Sequence, residues 1–130
     1  VITLTSVGGG FVLNGIMKAL FVRARPETVF IIETGYSFPS GHAVAAAIFF
    51  TLVIYIFARK IQSIVWRELF VVGCVALALL VGFSRIYLGV HWFSDVVAGI
   101  GFGLFWTTLM ILAVRYAGLF ITKVREFRKV

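Results

Sequence analysis

Three short groups of polar residues stand beside long apolar stretches and have the types and spacing for chemistry on a phosphoryl group. They are Lys18 with Arg25-Pro26, then Pro39-Ser40-Gly41-His42, and finally Ser84-Arg85 with His91 and Asp95. Ionisable residues next to lipid are costly, and their presence there indicates function. Phosphoryl transfer depends on positioning and on neutralising the charge of the phosphate oxygens. Two histidines, one carboxylate and several cations suit that reaction.

The third group can supply a nucleophile. His91 and Asp95 are four residues apart where the last apolar stretch begins, and residues at that spacing share a helix face. The Asp95 carboxylate can then accept a hydrogen bond from one ring nitrogen of His91, which leaves the other nitrogen free to attack. Arg85 lies six residues before His91, across a predicted turn at Gly89. Its guanidinium can hold two phosphate oxygens at once.

The second group can bind an anion and donate a proton. Pro39 favours an extended approach to the second apolar stretch, Ser40 can cap the helix, and Gly41 lets the backbone come close to a ligand. Free N–H groups at a helix start bind anions. His42 is then placed to protonate a leaving oxygen as a general acid.

Each group alone also has a simpler interpretation. Lys18 and Arg25 add positive charge from the end of the first apolar stretch and its following loop, but Arg25-Pro26 also fits an interfacial anchor. Ser40-Gly41-His42 also fits a plain helix start, and a structural histidine satisfied by a carboxylate is common. All three groups in this order, on one predicted side of a membrane, favour a phosphate site.

The elements that must position these residues are predicted to be membrane helices. The chain of 130 residues is 62% hydrophobic and 13% charged, against about 25% charged residues in soluble domains. Four apolar segments lie at about residues 1–22, 42–58, 68–83 and 93–114, the last reaching as far as 121. A spanning helix needs about 20 apolar residues. We therefore predict one domain, residues 1–130, that is an all-α, polytopic membrane helix bundle with about four transmembrane helices.

Glycines interrupt two of these segments. Gly8-Gly9-Gly10 is expected to weaken the first segment as a helix. Gly99 and Gly103 could seat a neighbouring helix closely, and relief of crowding inside this chain is the favoured interpretation.

The charge distribution predicts an orientation. The net charge is +7, but the positive residues flank apolar runs, so we expect membrane topology rather than a nucleic-acid partner. If the segments alternate, the side with the 59–67 loop and the C-terminal tail holds eight Lys and Arg against two Glu. The other side holds four Lys and Arg against three acidic residues. The positive-inside rule places the first side in the cytoplasm, so the candidate site residues face outward.

Taken together, the three groups resemble the three-part signature of the type-2 phosphatidic acid phosphatase family. That family consists of membrane lipid phosphatases and shares its core site with vanadium haloperoxidases and glucose-6-phosphatase. The resemblance runs from Lys18 to Asp95 and implies that His91 forms a phosphohistidine, that Asp95 orients it, and that His42 is the general acid. It further implies that the phosphate is held by Lys18, Arg25, Ser40, Gly41 and Arg85. The family works without a metal or other cofactor, and two histidines with few carboxylates argue against a dinuclear site.

The resemblance therefore predicts an integral-membrane phosphatase whose partners are a lipid phosphate and the surrounding membrane lipids. Its site would face the outside of a bacterial plasma membrane. The candidate substrates are undecaprenyl diphosphate, phosphatidylglycerophosphate and phosphatidic acid. Two alternatives stay open: a vanadate-dependent haloperoxidase-like enzyme, against which the apolar spans argue, and a non-catalytic membrane protein that binds phospholipid headgroups. Because bacterial members resemble a six-helix protein, we expect either the catalytic C-terminal portion of such a fold, without about two N-terminal helices, or a minimal variant.

Overall fold

Four long helices form the part of the chain that the computed structural model describes, residues 2–27 and 33–127. They are α1 (Ile2–Phe21), α2 (Gly41–Phe57), α3 (Ile64–Tyr87) and α4 (Phe93–Phe127), and a short 3₁₀ turn, Ala58–Lys60, follows α2. Each of the four is long and apolar enough to cross a membrane. Helices satisfy their backbone hydrogen bonds internally, as a lipid environment requires. The predicted all-α, four-span bundle is confirmed.

The helix α3 is longer than the sequence pattern predicted. It was expected over residues 68–83, but it begins at Ile64 and ends at Tyr87. Hydropathy marks only the apolar centre of a span, whereas the helical hydrogen bonds continue through polar residues at the membrane interface. Ser84 and Arg85 therefore belong to the last turn of α3.

The glycines of α1 mark close helix contacts rather than a break. The helix is continuous through Gly8-Gly9-Gly10, so the expected weakening does not interrupt it. A Cβ on Gly9 would lie 2.4 Å from the Trp106 ring, and one on Gly10 would lie 2.4 Å from Ile48 Cδ1. Packing against α2 and α4 therefore accounts for two of these glycines.

The helix α2 supplies most of the buried apolar side chains of the bundle, from Ala43 to Leu52. It packs closely on α4 because Gly99 and Gly103 present no side chain there. A Cβ on Gly99 would lie 2.8 Å from the Ser40 carbonyl oxygen, and one on Gly103 would lie 2.7 Å from Ala47 Cβ. This agrees with the interpretation that the two glycines relieve crowding within the chain.

Large apolar side chains cover the outside of the bundle. Examples on three helices are Phe11, Leu69, Leu80, Phe105 and Leu112, all of them exposed. Such a surface is costly in water but suits contact with lipid or with further apolar helices.

Candidate active site

The three groups of polar residues meet at one end of the bundle. Successive antiparallel helices place the end of α1, the start of α2, the end of α3 and the start of α4 together. A backbone hydrogen bond from Ser40 N to Asp95 O, 3.0 Å long, joins the starts of α2 and α4 directly.

A cavity of about 300 Å³ opens at this end. Five of the predicted site residues line it: Lys18, Arg25, Gly41, His42 and His91. Phe11, Glu33 and Ala45 complete its lining. The cavity therefore combines cations and imidazoles with an apolar wall, as a phosphate attached to an apolar group would need.

His91 lies in the turn between α3 and α4, and its two ring nitrogens face different surroundings. Its Nδ1 is 3.6 Å from Asp95 Oδ2, slightly longer than a hydrogen bond, and both side chains are buried. Its Nε2 is 3.3 Å from Arg25 Nη1, and both residues line the cavity. The carboxylate therefore faces Nδ1, and the Arg25 guanidinium, which can only donate, faces Nε2.

The pairing of His91 with Asp95 arises from a turn rather than from one helix face. The helix α4 begins at Phe93, after His91. Asp95 Oδ2 instead accepts a 2.9 Å hydrogen bond from the Trp92 backbone N–H, in the first turn of the helix. The spacing argument predicted that these two side chains lie close together, but the predicted hydrogen bond between them is not formed among the described residues, and a capping turn rather than a shared helix face brings them near.

The surroundings of His91 favour its neutral form. Burial lowers the pKa of His91 below its usual value of 6.5, and the positive charges of Arg25 and Lys18 lower it further. The carboxylates of Asp95 and Glu33 act in the opposite direction but do not outweigh these effects. A neutral imidazole at neutral pH is the form that can act as a nucleophile.

Backbone carbonyls fix the position of Arg25. Its Nη1 donates to Val90 O at 2.9 Å and its Nε to Gly35 O at 3.1 Å. The same Nη1 pairs with Glu33 Oε2 at 2.8 Å. This guanidinium is therefore held next to His91 Nε2 and is paired with the Glu33 carboxylate.

Lys18 is anchored in a similar way, since its Nζ donates to the Tyr36 carbonyl oxygen. The end of α1 and the segment before α2 are thereby joined at the cavity. Both predicted cations of the first group thus lie in the lining.

The start of α2 lacks the side-chain capping hydrogen bond that the sequence predicted for Ser40. Ser40 occupies the N-cap position with an extended backbone, but its side chain makes no capping hydrogen bond. Its buried Oγ has no hydrogen-bond partner among the described residues. Gly41 lies close to α1, since a Cβ there would be 3.1 Å from Asn14 Nδ2. His42 is exposed and lines the cavity.

Arg85 stabilises the turn that carries His91 through its backbone carbonyl. Its carbonyl oxygen accepts hydrogen bonds from Val90 N and His91 N, at 3.2 and 3.3 Å. These bonds close the turn at Gly89, which has a φ of 67° and so adopts the left-handed conformation that glycine allows. The Arg85 side chain donates from Nε to Ser84 Oγ at 3.1 Å. It does not belong to the described lining of the cavity.

Sequence reasoning missed Arg23 and Glu33. Arg23 Nη1 lies 2.7 Å from Asp95 Oδ1, and Asp95 is fully buried. A signal was present, because a buried carboxylate requires a cationic or hydrogen-bonding partner. Nothing in the local spacing, however, indicated which arginine would supply it. Glu33 lies in sequence between the first and second predicted groups, and no motif spacing indicated that it would pair with Arg25.

The described residues include no group of three or more His, Cys, Asp and Glu side chains that could hold a metal ion.

Comparisons with known proteins identify relatives of this chain. The family model described as the PAP2 superfamily matches residues 1–119. The chain is 32% identical over 119 residues to phosphatidylglycerophosphatase B of Bacillus subtilis, which covers 90% of this chain and 55% of that protein. It is 33% identical over 95 residues to an undecaprenyl-diphosphatase of Sulfolobus acidocaldarius, which covers 68% of this chain and 42% of that protein.

A solved structure is similar as well. It is the crystal structure of a transmembrane PAP2-type phosphatidylglycerolphosphate phosphatase from Bacillus subtilis, with a TM-score of 0.79 and 30% identity. The match covers 88% of this chain and 58% of that one. The chain spans about half the length of the curated relatives it matches.

Proposed function

The chain belongs to the PAP2 superfamily, and on that premise we propose that it is an integral-membrane lipid phosphate phosphatase. It would hydrolyse the phosphate or diphosphate headgroup of a lipid. One observation carries the proposal: His91 and Arg25 line the same cavity with His91 Nε2 3.3 Å from Arg25 Nη1, while His91 Nδ1 lies 3.6 Å from the buried Asp95. This is the arrangement that a histidine nucleophile with an orienting carboxylate requires.

In the proposed first step, His91 Nε2 attacks the phosphorus atom and forms a phosphohistidine. The bond between phosphorus and the leaving oxygen breaks, and His42 gives that oxygen a proton. The Asp95 carboxylate stabilises the positive charge on the phosphorylated ring through Nδ1–H. In the second step, water attacks the phosphorus atom while His42 accepts a proton from it. Inorganic phosphate leaves, and His91 is regenerated.

The proposed phosphate-binding set surrounds this path. Lys18 and Arg25 neutralise the phosphate oxygens, and the N–H groups near Gly41 bind a third side of the anion. The unpartnered Ser40 Oγ would gain a hydrogen bond to phosphate. We assign Arg85 to the same set, which requires its guanidinium to exchange Ser84 for the ligand.

A lipid substrate is supported by the wall of the cavity and by the names of the relatives. Phe11 and Ala45 belong to the lining of the cavity and would contact an apolar chain. The relatives are named for phosphatidylglycerophosphate and undecaprenyl diphosphate, and a further relative is a lipid A 1-phosphatase of Rhizobium johnstonii, 30% identical over 126 residues. These lipids, with phosphatidic acid, are the candidate substrates. We further propose that the site faces outward and works without a metal.

Phosphate release from a panel of these lipids, in detergent with excess chelator, tests the proposal. Release should continue with chelator present and should be lost in His91→Ala. Arg59→Ala, which changes an exposed cation near the opposite end of α2, is the matched control and should retain activity. A ³²P-labelled substrate stopped in alkali should leave label on the wild-type protein and none on His91→Ala.

Three results would contradict specific parts of this proposal. Activity in His91→Ala would remove the nucleophile assignment, and turnover that stops with chelator would remove the metal-free scheme. Headgroup binding with no turnover on any lipid would favour a non-catalytic lipid-binding protein. Halide oxidation that depends on added vanadate would favour the haloperoxidase-like alternative.

A further inference from the structure

We infer that Arg23 is a positioning residue of this site that acts on His91 through Asp95. The inference rests on the proposed function, in which His91 is the nucleophile and Asp95 its orienting partner. Arg23 lies outside the three predicted groups, two residues before Arg25. It does not line the described part of the cavity, so its effect on the reaction must pass through another residue.

The hydrogen bonds of Asp95 show which groups hold it. Its Oδ1 accepts from Arg23 Nη1 at 2.7 Å, and its Oδ2 accepts from Trp92 N at 2.9 Å. His91 Nδ1 remains 3.6 Å from Oδ2 and has no hydrogen-bond partner among the described residues. The carboxylate is therefore oriented by Arg23 and the Trp92 backbone, and it is presented to His91 at a longer distance.

Arg23 is itself held in place from several sides. Its Nη1 also donates to Ser94 Oγ at 2.7 Å, and its guanidinium carbon lies 5.6 Å from the centre of the Trp92 ring. Trp92 Nε1 in turn donates to Ala24 O at 3.1 Å. These contacts bind the segment after α1 to the start of α4. The segment after α1 carries Arg25, and the start of α4 directly follows His91. Arg23 therefore links the parts of the chain that carry these two site residues.

The charge of Arg23 has a direct consequence for His91. A buried carboxylate without a cationic partner would interact fully with the imidazole and would favour the protonated ring. That ring has no free lone pair on Nε2 and cannot attack. With Arg23 bound to Oδ1, part of the carboxylate charge is neutralised. Asp95 can then orient Nδ1–H and still leave His91 neutral.

Other charged and titratable groups also face this part of the site, from every element packed against His91. They are Lys18 on α1, Arg23, Arg25 and Glu33 in the segment between α1 and α2, His42 on α2, Arg85 at the end of α3 and Asp95 on α4. Of these, Arg23 is bonded to Oδ1 of Asp95, away from the cavity lining. Changing it should alter the His91–Asp95 pair directly, because Asp95 Oδ1 would lose its cationic partner.

A direct titration of His91 tests this inference without relying on activity. The chain has two histidines, so His42→Gln leaves His91 as the single imidazole for ¹⁵N NMR of the purified chain in detergent. In that background, Arg23→Gln should raise the titration midpoint of His91 by about one pH unit. Arg23→Lys keeps the positive charge and should leave the His91 midpoint close to its value in the protein that retains Arg23. An unchanged midpoint in Arg23→Gln would overturn the inference.

The pH dependence of turnover gives the second test, in the chain with His42 intact. Arg23→Gln should move the acidic limb of the kcat/KM profile to higher pH by about the same one pH unit. At a given pH on that limb, activity should then fall about tenfold, and it should recover at higher pH. Arg23→Lys should restore the limb, and Arg59→Gln should not move it. An equal loss at every pH would show a merely structural role and overturn the inference. If the wild-type chain releases no lipid phosphate, the proposed function fails, whereas the NMR titration still judges the role of Arg23.

Discussion

Replacement of Gly99 by alanine should damage the site from outside the cavity. A Cβ at this position would lie 2.8 Å from the Ser40 carbonyl oxygen and 3.0 Å from Ala43 Cβ, whereas ordinary contacts begin at 3.4 Å. The start of α2 must therefore move away from α4 by roughly 0.6 Å, because a backbone carbonyl cannot rotate aside as a side chain can. Ser40 and Gly41 move with it, while His91 stays on the turn between α3 and α4.

The expected loss follows from that displacement. Misplacing a reacting group by about 1 Å can cost roughly 100-fold in rate, so a shift of about 0.6 Å should lower kcat/KM by about tenfold. Overpacking of this kind also costs about 1–3 kcal/mol of stability. We therefore expect Gly99→Ala to lose both activity and thermal stability in detergent.

Gly101 provides the matched control on the same helix. It is exposed, and a Cβ there would meet nothing within 4 Å. Gly101→Ala should keep full activity and gain up to about 1 kcal/mol, because alanine favours the helix more than glycine does. Phosphate release and the melting temperature would be measured for both variants. If Gly99→Ala matched Gly101→Ala in both measurements, the argument from helix contact would be refuted.

Two further predictions concern pH and the packing of α1. Burial and the charge of Arg25 lower the pKa of His91 below 6.5, so the nucleophile stays neutral as the pH falls to that value. The acidic limb of kcat/KM should therefore lie below pH 6.5, and a midpoint at or above it in a pH–rate profile would contradict this. Gly9→Ala should lower the melting temperature because its Cβ would lie 2.4 Å from the Trp106 ring, whereas Gly8→Ala meets nothing within 4 Å. Equal melting temperatures for these two variants would count against the close contact of α1 with α4.

The helices and the general position of the site could be predicted from sequence because both depend on local patterns. A run of about 20 apolar residues forms a spanning helix, since lipid offers the backbone no other hydrogen-bond partners. The motif residues stand next to the ends of such runs, and alternation of four spans gathers those ends on one side. The prediction that Lys18, Arg25, His42 and His91 share one region required no knowledge of packing.

The spacing of His91 and Asp95 was informative for a similar reason. Residues four apart near a helix start stay close whether they share a helix face or a capping turn. Sequence therefore indicated the partners, and the structure decided that Trp92 N–H and not a shared face orients the carboxylate. The bounds of α3 were less predictable, because hydropathy does not mark where helical hydrogen bonds end.

Local sequence patterns are enough to predict the spans and the chemical groups that stand at their ends. The pairing of those groups depends on the folded bundle. Arg23 donates a hydrogen bond to Asp95, 72 residues later in the sequence, and Glu33 forms an ion pair with Arg25. Ser40 Oγ is buried without a hydrogen-bond partner among the described residues. Such pairings depend on the relative positions of separate helices and loops. Those positions follow from packing of the whole chain, as where Gly99 and Gly103 let α2 approach α4, and no local spacing records them.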